Sequence, residues 1–377
     1  MKLTRLAAVS KKEFLQISRD ARSLAMGIAM PVVLLVLFGY ALSLDVDRVP
    51  LVVWDQSRTQ ASRDFLSLFQ GSRYFSIGQY AGDYRGLERA INAGKAIGAL
   101  VIRYDFAREV AAGRPTAVQL ILDGSDSNTA TITLGYAQAV VRGYSQGLTV
   151  DAVMRSGGTV PNPPIDLRPR VWFNENMESK NYIIPGLISI IMMIIAALLT
   201  SLTLAREWER GTMEQLISTP VKSAELILGK LLPYFAIAMF DVLIAVVMGY
   251  FVFGVPFRGN VILLFVIASV FLVGTLSLGI LISARTKNQL AASQFALVLT
   301  FLPSFLLSGY VYPIANMPRP IQLVTYVVPA TYLTKIMRGI YLKGVGLHVV
   351  WFDALLLVFF SAVMVALAAA SFRKKLT

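Results

Sequence analysis

Apolar residues in this chain come in long charge-free blocks rather than in short alternating runs. Ser23–Leu44, Asn181–Ala205, Gly259–Ala284, Asn288–Pro318 and Ala354–Phe372 carry no charge, and Leu231–Phe257 carries only Asp241. A helix needs about 20 apolar residues to cross ~30 Å of hydrocarbon. The pattern therefore predicts a polytopic α-helical membrane protein with six transmembrane helices, at 23–44, 181–205, 230–256, 259–284, 288–308 and 351–372. The block from Asn288 is too long for one span, and Pro303, Gly309 and Pro313 predict a helix ending near Ser308. Residues 309–350 then read as an extracytoplasmic, re-entrant and interfacial segment. The first apolar block is too long for a signal peptide and lacks a small-x-small cleavage site, so it reads as a retained anchor.

Two stretches break this pattern. In residues 1–22, Leu3, Leu6, Ser10, Phe14 and Ile17 recur at three and four spacing with lysines elsewhere. That predicts an amphipathic helix lying on the inner leaflet. Residues 45–180 hold 15 basic and 14 acidic residues, the composition of a water-exposed domain. Strand-like runs at Val49–Trp54, Phe75–Tyr80, Ala99–Ile102 and Ala117–Leu122 are separated by helix-like Thr59–Phe69, Tyr84–Ala93 and Asp105–Ala112. A long helix over Ser127–Arg155, a Gly/Pro-rich stretch and a last strand near Leu167–Phe173 complete an inserted extracytoplasmic α/β domain.

Composition sharpens the picture. Of 377 residues, 56% are hydrophobic and only 15% charged, against a usual ~25%, which excludes an ordinary soluble enzyme. There is no cysteine, which excludes disulfides, thiolate metal sites and cysteine nucleophiles, and one histidine, His348, which excludes a multi-histidine metal site. The net charge of +13 is not a nucleic-acid signal, because its placement is one-sided. The flanks at 1–22, 206–230, 285–287 and 373–377 hold fifteen basic residues against six acidic ones. By the positive-inside rule these flanks are cytoplasmic, with both termini inside and residues 45–180 outside.

The loop at 206–229 is densely charged in a chain that elsewhere avoids charge. Glu207, Trp208, Glu209, Arg210, Gly211, Thr212, Met213 and Glu214 form its centre. Gly211 can end one helix and Thr212 cap the next, while Trp208 and Met213 suit an exposed edge docking into a partner's groove. The plainer account is a solvated loop of positive-inside arginines. Here the chain resembles the permease subunits of ABC-2 type exporters, in particular six-span members with a large extracytoplasmic domain between spans one and two. The resemblance rests on Lys12–Asp20 before the first span, on Glu207–Leu216 followed by Ser218-Thr219-Pro220, and on Leu307–Ile314 with Asn316-Met317-Pro318 and Pro329–Leu333. Pro313, Pro318 and Pro329 punctuate that C-terminal signature.

The resemblance implies a translocation path for a drug, lipid or other amphiphile, and a second permease copy or paralogue. It also implies a separate ATPase dimer that binds ATP and Mg and grips Glu207–Glu214, and in some members a periplasmic adaptor. The implied setting is the bacterial inner membrane, with no nucleic-acid partner. The sequence agrees that ATP is bound elsewhere: no G-x-x-x-x-G-K-[ST] occurs, and Gly94-Lys95 and Gly229-Lys230 lack its other residues. No cofactor, metal site or catalytic residue is expected in this chain.

Asp241, Asn288, Gln294, Thr300, Tyr310 and Tyr312 are the candidates for lining a path. Asp241 lies eleven residues past Lys230, hence ~16 Å deep at ~1.5 Å per residue, where a carboxylate is costly. A structural hydrogen bond between helices is its alternative role. Asn288, Ala292, Ala296, Thr300, Ser304 and Ser308 recur every four residues, which favours close helix packing over a pore lining. Arg319, Lys335, Arg338 and Lys343, interleaved with Tyr326, Tyr332 and Tyr341, read as snorkelling cations in an interfacial belt. Two other classes compete with the exporter: an ion-coupled secondary transporter using Asp241, and a membrane-anchored receptor whose business is the outer domain. Neither explains the charged loop, and no inverted repeat is visible.

Overall fold

The computed structural model describes residues 3–20, 24–41, 46–155, 170, 172–175, 177–219 and 223–371, which divide into two units, 1–43 with 170–377, and 44–169. Helix α1 (Leu3–Arg19) is followed by α2 (Ala25–Ala41), whose first turn, Ala25–Ala29, is π-helical. Beside the stripe expected to lie on the leaflet, α1 carries a second one, sharing Ile17, that packs on the chain. Val9, Glu13 and Ile17 are the buried residues, one per turn, while Leu3 and Phe14 are exposed.

In the unit of residues 44–169, β1 (Val49–Asp55), α3 (Gln60–Gln70), β2 (Phe75–Tyr80), α4 (Tyr84–Asn92), β3 (Gly98–Ile102), α5 (Phe106–Ala111), β4 (Val118–Leu122) and α6 (Ser127–Arg155) follow in order. The sheet order is β2-β1-β3-β4, with β1 parallel to both neighbours and β4 antiparallel to β3. Successive strand residues face opposite ways. Val49, Leu51 and Val53 accordingly pack with Phe65, Phe69 and Phe106 on one face, and Val52 with Leu87 and Ala90 on the other. Burial on both faces is why the strands read as unbroken apolar runs. Thr59, Asp83 and Asp126 accept backbone N–H bonds at the starts of α3, α4 and α6. The Gly/Pro-rich stretch lies outside the described residues. Of the strand expected at 167–173, Arg170, Trp172 and Phe173 are described, and they form none.

The rest of the chain is helical: α7 (Ser179–Glu209), α8 (Thr212–Ser218), α9 (Ser223–Phe251), α10 (Val261–Thr286), α11 (Gln289–Leu307), α12 (Arg319–Thr325), α13 (Pro329–Arg338) and α14 (Leu347–Ser371). Among the described residues, five helices (Ser179–Glu209, Ala224–Phe251, Val261–Thr286, Gln289–Leu307 and Leu347–Ser371) are long and apolar enough to cross a membrane; α2 is apolar but shorter. The protein is a multi-pass membrane protein.

Helix α7 is apolar on every side and buried along its length, packed by α2, α9, α10, α11 and α13. Small residues let the helices meet closely. Thr200 in α7 donates to the Leu276 carbonyl of α10 at 2.9 Å, and Ser283 of α10 accepts the Leu204 and Ala205 N–H groups at 3.0 and 2.8 Å. The four-residue stripe of α11 is buried at Ala292, Ala296, Thr300 and Ser304, while Leu290, Phe295, Val298 and Leu302 are exposed. An apolar face of that size needs lipid or another protein against it.

Gly279 marks the tightest of these contacts. A Cβ there would lie 2.0 Å from Thr200 Oγ1 and 2.4 Å from the Ala197 carbonyl oxygen, whereas one at Gly249 meets nothing nearer than 3.5 Å. Gly279→Ala is therefore expected to destabilise the chain by about 1–3 kcal/mol through overpacking. Gly249→Ala is expected to leave stability unchanged or to raise it slightly. Thermal unfolding of the detergent-solubilised protein checks both; equal melting points for the two variants would contradict the close-packing account.

Candidate functional site

The last turn of α7 gathers most of the polar chemistry of the helical unit. In a helix each residue is rotated ~100° from the last, so Arg206, Glu207, Trp208 and Glu209 point four ways. Each meets a different part of the chain. Arg206 pairs with Asp20, just past α1, at 3.0 Å. Glu207 accepts from Lys12 of α1 at 2.7 Å and lies 3.6 Å from Lys230 of α9. The Lys287 ammonium, at the C-terminus of α10, sits 4.5 Å from the centre of the Trp208 ring. Glu209 accepts the Gln289 backbone N–H, at the start of α11, at 2.7 Å and also bonds the Gln289 side chain.

Beneath this fan lies a buried ion cluster. Lys230 is 1% exposed and donates to Glu13, 2% exposed, while Glu207 is 4% exposed. Lys12, Glu13, Glu207 and Lys230 balance in charge, which is the condition for holding ions out of water. A second pair, Arg5 with the buried Glu225, lies 4.0 Å apart between α1 and α9. The two helices come together at Gly229, where a Cβ would lie 2.8 Å from Val9. Helix α1 is therefore held to the protein by charge as well as by Val9 and Ile17.

The turn between α7 and α8 departs from expectation in two ways. Gly211 does end α7, in the left-handed conformation at φ +70°. Thr212, expected to cap α8, is its first residue, and its hydroxyl donates back to Glu207. Met213 is 1% exposed and Trp208 half-buried beneath Lys287, so neither forms the exposed edge predicted for docking. The apolar side chains pack inward, and the exposed surface is carried by Glu209, Arg210, Gly211 and Glu214.

The path candidates are not brought together. Asn288 caps α11, accepting the Ala291 N–H at 2.9 Å; Gln294 is exposed; Thr300 is buried and donates to its own helix at Ala296. Tyr310 is 2% exposed, and Tyr312 60%. Asp241, 7% exposed, alone among them lines a small cavity of about 20 Å³, bounded by α2, α7, α9 and α10.

The C-terminal signature folds around one cation. Pro313 precedes a short 3-10 turn at Ile314–Asn316, Pro318 precedes α12, and Pro329 opens α13, where its missing N–H costs nothing. Arg338 does not snorkel outward as expected. Its guanidinium donates to the carbonyls of Tyr182, Gly309 and Tyr310 at 3.1, 3.0 and 3.3 Å and stacks on the Tyr182 ring. Gly309 and Tyr310 lie at the chain reversal after α11 and Tyr182 in the first turn of α7, and a planar five-donor group reaches the carbonyls of all three.

Sequence reasoning placed Lys12, Glu13 and Lys230 on a charged flank without joining them. One signal was present: Val9, Glu13 and Ile17 are four apart, which sets an acid within an apolar stripe.

Residues 21–370 match the family described as "ABC-2 family transporter protein". Among curated proteins, the chain is 39% identical over 361 residues to "Probable multidrug ABC transporter permease YbhS" of Escherichia coli (strain K12), covering 96% of this chain and 94% of that one. It is 31% identical over 374 residues to "Probable multidrug ABC transporter permease YbhR" of the same strain, covering 98% and 99%. With "Inner membrane transport permease YhhJ", also from that strain, identity is 27% over 330 residues, covering 86% and 85%.

Lys230→Met would leave Glu13 and Glu207 buried with Lys12 as their one remaining cation. A loss of about 3–5 kcal/mol is expected, as for breaking other buried pairs. Adding Glu13→Gln restores the charge balance and should recover much of the loss. Melting curves of the two variants check this, and an unchanged melting point for Lys230→Met would refute the cluster's structural role.

Proposed function

The chain belongs to the ABC-2 family of transporter proteins, and from that premise we propose that it is the membrane permease of an exporter whose ATP-hydrolysing subunit is a separate protein. The observation that carries the coupling part of this reading is the fan at Arg206–Glu209. One helical turn is tied to α1, α9, α10 and α11 at once, so a push delivered there reaches four helices together. The exposed Glu209, Arg210, Gly211 and Glu214 form the surface offered to the ATPase. Because Trp208 and Met213 pack inward, that contact is polar at its surface and braced by an apolar layer beneath. ATP-driven closure of the partner dimer would move the turn as a rigid body and shift the helices between inward and outward states.

The same reading puts α2 across the membrane as a sixth span, the positively flanked ends and both termini in the cytoplasm, and residues 45–180 outside a bacterial inner membrane. ATP and Mg belong to the partner, and this chain supplies no ATPase chemistry. A second permease copy or paralogue would cover apolar surface such as the outward face of α11, the rest facing lipid. The outer domain would receive cargo or hand it to a periplasmic adaptor. Two of its relatives are named probable multidrug permeases, and on this reading the cargo is a drug-like amphiphile, exported rather than imported.

Reconstitution of the chain with its partner ATPase tests the assignment. Extrusion of an amphiphilic dye from vesicles is expected with ATP and absent with an ion gradient alone. Arg210→Ala with Glu214→Ala, both exposed, is expected to reduce transport at least tenfold while the chain inserts and melts normally. Transport driven by an ion gradient without the ATPase would overturn the reading.

A further inference from the structure

The sheet in the unit of residues 44–169 has two edges, and they are finished differently. At one edge the pairing of β2 with β1 shifts between Leu51 and Val52, where Gly78 is left out of register. A bulge of this kind twists an edge away from further pairing. At the other edge β4 pairs with β3 without a break, from Val118 to Leu122. The run from Thr116 to Leu122 carries no charge and no proline. Bulge, edge charge and proline, the devices that keep a sheet edge from pairing, are thus all missing from β4. Among the described residues no strand lies beyond it.

Both faces of β4 are also left half-covered. Every residue of β3 is buried, whereas in β4 Gln119 is exposed and Val118, Leu120, Ile121 and Leu122 are half-buried. Val118 and Leu120 pack against the cluster of Phe65 and Phe106 on one face, and Ile121 against that of Leu87 and Ala90 on the other. A strand that completes this edge must therefore bring apolar side chains on both of its faces, and no charge to set against the run from Thr116 to Leu122.

We infer that β4 is the pairing edge for the β4 of a second copy of this chain, antiparallel across a twofold axis, so that two four-stranded sheets become one continuous sheet. When all five residues of the strand pair, Leu120 lies opposite its own copy, Val118 opposite Leu122, and Gln119 opposite Ile121. Each residue then meets one of the same face, so the apolar rows run on from copy to copy without changing sides. No like charges meet, as they would on a strand carrying lysine. Each copy supplies the half-covered rows that the other lacks. This rests on the exporter reading only for the presence of a second permease; the pairing needs neither ATP nor cargo.

The chain has no cysteine, so a single introduced thiol reports a single contact. Leu120→Cys and, on the bulged edge, the exposed Gln79→Cys are each made in the full chain, reconstituted in proteoliposomes and oxidised with copper phenanthroline. Opposed residues of an antiparallel pair have Cα atoms about 4.5–5.5 Å apart, within reach of a disulfide. Leu120→Cys is expected to form a cross-linked dimer at least tenfold faster than Gln79→Cys. Hydrogen exchange on the unaltered chain needs no variant to fold: every amide of β4 is expected to be protected, whereas an unpaired edge leaves alternate amides exchanging as fast as those of β2 that point off the sheet. Fast exchange of that kind would overturn the pairing. So would equal cross-linking rates for the two variants, and so would protection of β4 with no cross-link from Leu120→Cys, which would give the edge to some other strand. If the cross-link forms while ATP-dependent transport fails in the reconstituted complex, it is the exporter reading and not the pairing that falls.

Discussion

The helical unit depends on one helix having no lipid-facing or water-facing side. Helix α7 is enclosed by α2, α9, α10, α11 and α13, so every neighbour must fit against it. With no hydrophobic driving force between helices inside lipid, close fit and hydrogen bonds have to hold such a bundle. The glycine at 279, the Thr200 hydroxyl on the Leu276 carbonyl, and Ser283 beneath two α7 amides are where that fit is made. A central helix locked in this way is held as one body with its neighbours.

The two ends of α7 are held by different chemistry. Near its start, Arg338 gathers the Tyr182, Gly309 and Tyr310 carbonyls, binding α7 to the chain reversal after α11 with neutral acceptors. At its end, acids and bases alternate and every buried charge has an opposite beside it. Neutral carbonyls with one cation hold a shape. Balanced ions hold a shape too, and they also tie together helices that are distant in sequence, from Glu13 to Lys230 and from Glu209 to Gln289. In a junction of this sort no member can shift alone without uncovering a charge.

Asp241 is the contrast that gives the cluster its meaning. The same helix α9 carries Lys230, buried and paired, and Asp241, buried and without a hydrogen-bond partner among the described residues.

Much of this was legible in the sequence. Charge-free blocks of twenty or more residues can only be helices in lipid, since every backbone group must be satisfied within the segment. The family likewise stood in the residues around Glu207, Leu307 and Pro329, and the runs at Val49, Phe75, Ala99 and Val118 became strands. What the sequence could not supply was partnership. Charge patterns tell which side of a membrane a residue faces and not which helix lies across from it; so Lys12, Glu13 and Lys230 read as flank charge, Arg338 as a snorkelling cation, and Trp208 and Met213 as an exposed edge. The face of α1 that buries, the inward turn of Arg338, and the isolation of Asp241 were decided by tertiary structure alone. Helical periodicity fixes the neighbours of a residue on its own helix, whereas contacts between helices depend on how closely small residues let the backbones approach.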